Sequence, residues 1–161
     1  MEGLILNEDS EYVTYMPPIF EAIGYDVIAK YNWRLSYVEC FGSFDATFPY
    51  ENILDTWVKG VELVKQVRNN PKAQWVWGLL QGFSADIPYE KIKDHDINEL
   101  DDDTRIWEYP VFMRDSLAEI EIEAFDSTMS IVVAKDIEII KKLKASFSNA
   151  EVLSEYNKNL C

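Results

Sequence analysis

The sequence predicts a single α+β domain over residues 1–161, built on a mostly antiparallel central sheet of about five strands packed by two or three helices. Three observations predict it. Leu117 to Phe147 reads as strand, tight turn, strand and helix in direct succession. Gln74 to Phe83 carries apolar side chains on both faces, as a strand covered on both sides requires. No repeat, low-complexity linker or composition break divides a chain whose 161 residues are enough to bury one core without disulfides or a structural metal.

Taken in order, Gly3 to Leu6 is a short apolar run suited to a strand, and Asn7 to Glu11 is a polar break. Pro17-Pro18 opens a short helix through Ile19, Phe20, Ala22 and Ile23 that Gly24 closes. From Trp33 to Phe41, Trp33, Leu35, Tyr37 and Phe41 alternate with Arg34 and Ser36, which is the period of a strand. Gly42 to Pro49 is a loop whose Phe44 and Phe48 fold back over the core. Over Tyr50 to Arg68, Ile53, Leu54, Trp57, Val58, Val61, Val64 and Val67 recur at spacings of one, three and four, predicting a helix that Asn69-Asn70-Pro71 ends.

The central strand comes next, with Trp75, Trp77 and Leu79 as core anchors; two tryptophans in one strand are also a candidate stacking surface for a small ligand. Pro88 to Lys93 forms a helical turn, and Asp94 to Asp103 is too acidic to compact, predicting an exposed loop. Ile106 to Met113 contains Pro110, which points to an edge strand or an irregular segment across the core. In Leu117 to Phe147, Asp126-Ser127-Thr128 supplies the turn and Asp136 the helix N-cap. Ser148-Asn149 ends that helix, Ala150 to Leu153 adds a short strand, and Asn157 to Cys161 is expected to fray.

Fifteen Lys and Arg against 29 Asp and Glu leave a net charge of −14. A field of that sign repels phosphate backbones and anionic lipid, and it speeds encounter with basic partners. The 48% apolar and 14% aromatic content places this charge on a folded body rather than a disordered tail. The opening residues lack the basic and long apolar regions of a leader, and no run approaches the ~20 apolar residues of a membrane span, so the expected compartment is the cytoplasm. Cys40 and Cys161 call for no framework disulfide.

Few motifs of chemistry are present. Asp94, Asp96 and Asn98 match the opening ligands of an EF-hand calcium loop, but Glu99 stands where the turn needs glycine and Arg105 where a bidentate glutamate is needed. His95 is the only histidine, which removes multi-histidine zinc sites and most imidazole-based catalysis; alone, it would act beside Asp94 and Asp96. None of the six glycines sits in a dinucleotide, Walker or nucleophile-elbow pattern. No cofactor, metal or catalytic residue is therefore assigned, and the chain is read as a non-enzyme. The enzymatic alternative is a carboxylate pair in a pocket beneath the sheet.

Glu119, Glu121 and Glu123 alternate with Ala118, Ile120, Ile122 and Ala124. Successive glutamates on one strand face stand about 7 Å apart and form a concentrated negative strip. That strip is either the wet face of an antiparallel strand or a surface that meets a basic partner.

One compact acidic α+β plan, with Tyr31-Asn32-Trp33-Arg34-Leu35-Ser36 early, a Trp-rich central strand and Ala118 to Phe147 as hairpin and helix, resembles small bacterial immunity proteins of contact-dependent inhibition and related polymorphic toxin systems. The resemblance implies an inhibitor that binds a basic toxin domain, a nuclease above all, through an acidic surface. In that role Glu119, Glu121, Glu123 and the loop carboxylates Asp94, Asp96, Glu99, Asp101, Asp102 and Asp103 would steer the partner, and Trp107 and Tyr109 would anchor it. A small-ligand or adaptor module is the other alternative.

Overall fold

A computed structural model describes residues 1–7, 13–95 and 104–160. Among them the chain forms β1 (Glu2–Leu6), α1 (Met16–Ile23), α2 (Tyr25–Ile28), β2 (Tyr31–Ser43), β3 (Asn52–Lys59), α3 (Gly60–Asn69), β4 (Lys72–Ser84), β5 (Ala118–Phe125), β6 (Met129–Ala134), α4 (Ile137–Ser146), β7 (Glu151–Val152) and α5 (Leu153–Leu160). Single 3₁₀ turns occupy Tyr89–Lys91 and Thr104–Trp107. The α+β class holds and the sheet is antiparallel throughout its named pairs, but among the described residues the sheet has seven strands, in the order β3-β2-β4-β5-β6-β1-β7, and the chain has five helices, more than expected.

The largest difference is the predicted helix from Tyr50 to Arg68, of which only the second half is helical. Asn52–Lys59 is the end strand β3, paired to β2 through Ser36↔Asp55, Arg34↔Trp57 and Trp33↔Val58. Ile53, Trp57 and Val58 suit a strand as well as a helix by spacing, and Gly60 decides between them. A Cβ on Gly60 would lie 2.4 Å from the Ile28 carbonyl oxygen and 2.6 Å from that of Tyr31, so the chain turns from strand to helix against the backbone of the α2–β2 junction.

In β2 the alternation breaks at Tyr37, whose φ of 52° forms a bulge. Trp33 and Leu35 before it and Val38 and Cys40 after it are buried on the same side of the sheet, against α1 and α3, leaving Phe41 exposed rather than inward as expected. Burial pushes the Cys40 thiol up, so it remains protonated. The hairpin reads as predicted: Asp126 and Ser127, at φ 46° and 59°, make the mirror-image turn that fits strand twist, and the Asp136 side chain accepts the Glu138 N–H at 2.9 Å as N-cap. Asn157 to Leu160 are helical instead of frayed, because Asn157 is buried and donates from Nδ2 to the carbonyls of Ile106 and Glu108; Cys161 lies outside the described residues.

Two cores sandwich the sheet. The larger joins α1, α3 and α4 to Trp33, Leu35, Trp75, Leu80, Ile120 and Ile122. The smaller lies on the opposite face, where Ile92, Ile106, Val111, Met113 and Leu153 cover Phe83, Ile131 and Val133. Residues around the cis Tyr109-Pro110 bond thus cross the core irregularly, one of the two forms expected for Ile106 to Met113. No helix among the described residues is long and apolar enough to cross a membrane.

Candidate functional site

Pairing brings the polar residues of four strands into two transverse rows on the smaller-core face. One row runs Trp57, Arg34, Gln81, Glu121, Val133, and the next Asp55, Ser36, Leu79, Glu123, Ile131. The segment that covers this face carries the matching groups. Arg34, 3% exposed, grips Asp55 with Nε to Oδ1 at 2.9 Å and Nη2 to Oδ2 at 3.1 Å. Its Nη1 donates to the carbonyls of Ile92 and His95, tying the C-terminal side of the first 3₁₀ turn to the sheet.

Glu121 and Glu123 point into this interface. Both are buried, so the expected negative strip does not exist as a solvent-facing surface over these two positions. Glu121 Oε1 accepts from Gln81 Nε2 at 2.7 Å and from the Asp115 N–H at 3.1 Å, and Oε2 accepts from the Arg114 N–H at 3.0 Å. Burial pushes its carboxyl above the ordinary range, against the lowering effect of these bonds and of the Arg114 charge. Glu123 pairs with Arg114 at 2.7 Å, both side chains at most 6% exposed. Only Glu119 of the row is accessible, at 40% of its side chain, and Lys135 lies 3.3 Å from it. Over these two positions the face is covered by Ile92, Ile106, Val111, Met113, Arg114 and Asp115, not by water.

At the β2–β3 end of the rows an open depression of about 390 Å³ is lined by Arg34, Tyr37, Leu54, Asp55, Lys93, Asp94 and His95. Tyr37 and Leu54 stand between the Ser36–Asp55 and Val38–Ile53 pairs. Leu54 is 72% exposed. His95 places Nδ1 2.7 Å from Asp115 Oδ2, a partner distant in sequence that local reading did not supply; of the two neighbouring acids, Asp96 lies outside the described residues. Asp115 in turn accepts the Leu117 N–H.

Of the predicted site residues, Asp94 is exposed on this depression. Asp96, Glu99, Asp101, Asp102 and Asp103 lie outside the described residues. Trp107 is half-buried, 6.3 Å from Phe125 and 5.7 Å from Tyr156 between ring centroids, while Tyr109 is 52% exposed with Lys158 Nζ 4.7 Å from its ring. The structure therefore groups Asp94 with Arg34 and Asp55, and the two aromatics with the α5 side chains. Trp75 is buried against Phe48 and Tyr50, whereas Trp77 meets Phe125, so the two indoles form no common stacking surface.

Sequence reasoning missed Arg34, Asp55, Gln81, Arg114 and Asp115. The available signal was Arg34 and Ser36 alternating with Trp33 and Leu35 in a strand whose neighbour needs cover on both faces. Among the described residues no cluster of three His, Cys, Asp or Glu is suited to hold a metal. Compared with known proteins, the chain matches no protein-family model, no curated protein and no solved structure.

Proposed function

We propose that this chain is a non-catalytic binding protein that neutralises a cognate basic toxin domain, a nuclease being the partner class with the matching charge, in the manner of the immunity proteins it resembles. The observation that carries the reading is the net charge of −14 on a folded body. Glu121 and Glu123 are enclosed with Arg114 and do not contribute an accessible strip, but Glu39, Glu51, Glu90 and Asp94 are exposed and Glu119 is partly so. Such a surface raises the rate of encounter with a cationic groove. Tyr109 and Leu54 supply exposed apolar area for anchoring.

Capture from a lysate of the source cell at low salt, and then association kinetics with the captured protein, test the reading. The expected partner has a basic domain, and the association rate falls about tenfold or more between low and ~0.5 M salt. Asp94→Lys and Glu119→Lys together slow association further. An acidic partner, or a rate indifferent to salt, overturns the reading.

A second reading, a small enzyme using a carboxylate pair, is favoured by one observation: Asp55 and Asp94 share the depression beside His95. Turnover of a chromogenic glycoside panel that Asp94→Asn abolishes would establish it. No turnover, or turnover that survives the substitution, removes it.

A further inference from the structure

We propose that the outer edge of β3 receives an extended basic segment of the partner as an additional strand, with Leu54 as its apolar anchor. This rests on the basic-partner reading and names the surface that carries it. β3 ends the sheet, and among the described residues its strand pairing is to β2 alone. At eight residues it is long for a bare edge, whereas β7 at the other end has two. Asp55 counts as exposed as a whole residue although its side chain is only 26% accessible, which puts accessible area on its main chain. Unpaired main-chain N–H and C=O groups on such an edge are the template that added strands use.

Charge sets the occupant. Glu39, Glu51, Glu90 and Asp94 are exposed on and around the β2–β3 hairpin and the adjoining 3₁₀ turn. Of the nearby cations, Arg34 is held by Asp55 and Lys93 by Glu90 at 2.7 Å, and the exposed Lys59 and Lys91 stand against Glu39, Glu51 and Asp94, which leaves the surroundings of the edge acidic by a small margin. Two copies at −14 each repel, which disfavours closure of the edge by a second chain. Alternate side chains of an added strand fall on the two faces, and on one face they reach Leu54 and the depression that Tyr37 and Asp94 line.

The test uses the full chain and three labelled octapeptides matched to the eight residues of β3: alternating lysine and valine, the same peptide with all its backbone amides N-methylated so that neither edge can donate, and alternating glutamate and valine. The lysine peptide is expected to bind and to slow hydrogen exchange at Asn52–Lys59. N-methylation removes donors without changing charge and should weaken binding about tenfold or more, since several hydrogen bonds are lost. Leu54→Lys, at an exposed position, should weaken it as well. Equal binding of the methylated peptide without protection of β3 overturns edge pairing and leaves the basic-partner reading standing. Equal pairing of the glutamate peptide overturns the choice of a basic occupant. Protection of β3 that grows with concentration of the chain alone assigns the edge to a second copy, and no binding by any peptide overturns the proposal.

Discussion

Arg114 shows how one side chain changes the meaning of a sequence pattern. Its guanidinium reaches Glu123 at 2.7 Å and its main-chain N–H reaches Glu121, so two of three alternating glutamates face a cover instead of water. Replacing Arg114 by Met leaves the Glu123 carboxylate buried without this counter-charge. Loss of about 3–5 kcal/mol is expected in urea unfolding. The double variant Arg114→Met with Glu123→Leu should lose less than Arg114→Met alone, and a double loss equal to the sum of the singles would show that the pair is not coupled. Glu121 carries a second expectation. Its carboxyl is raised above 4.5 in the fold, chiefly by burial, so its contribution to stability is full below that value and is lost as pH rises through the raised one. Against Glu121→Gln, which does not titrate, the native chain should lose relative stability as pH increases from about 4.5 upward. Any fixed offset from the amide facing the Arg114 N–H drops out of that slope, and a flat difference would show that burial does not dominate at this carboxyl.

Among the elements, β3 and α3 carry the sharpest disagreement between pattern and fold. If Tyr50 to Arg68 were one helix, Gly60→Ala would stabilise the chain by up to about 1 kcal/mol. A Cβ there instead meets the carbonyls of Ile28 and Tyr31, so thermal or urea unfolding should show a loss of about 1–3 kcal/mol. The elements with local punctuation were legible: Gly24 after α1, Asp126-Ser127 in the hairpin and Asp136 before α4 each state their geometry in the residue itself. What escaped depends on distant partners. The Tyr37 bulge shifts which residues of β2 face inward, Asn157 is held by carbonyls of Ile106 and Glu108, and β3 exists because β2 has an edge to fill. The candidate site was less legible still. Asp94 and Tyr109 are exposed, whereas Trp107, expected as an exposed anchor, is half-buried against Phe125 and Tyr156, and Arg34 and Asp55 meet only across strand pairing that periodicity does not encode.

For the whole molecule, the two cores divide the acidity into an enclosed part, with its own Arg34 and Arg114 counter-charges, and a surface part with too few cations to match it. Self-repulsion among the surface carboxylates opposes compaction, and it acts at separations where salt screens it, whereas the buried pairs are screened much less. Raising sodium chloride from about 0.01 to about 0.3 M shortens the screening length from roughly 30 Å to under 10 Å. The melting temperature should therefore rise, by about 2–4 °C for each kcal/mol of repulsion removed in a chain of this size. The opposite sign is expected if exposed ion pairs such as Lys141 with Glu138 and Lys93 with Glu90 governed the surface, because salt weakens them. A scanning calorimetry series in sodium chloride at pH 7 separates the two. With 29 carboxylates against 15 cations the repulsive sign should prevail, and a falling melting temperature would show that the surface acids are locally compensated and would remove the long-range field on which basic-partner steering depends.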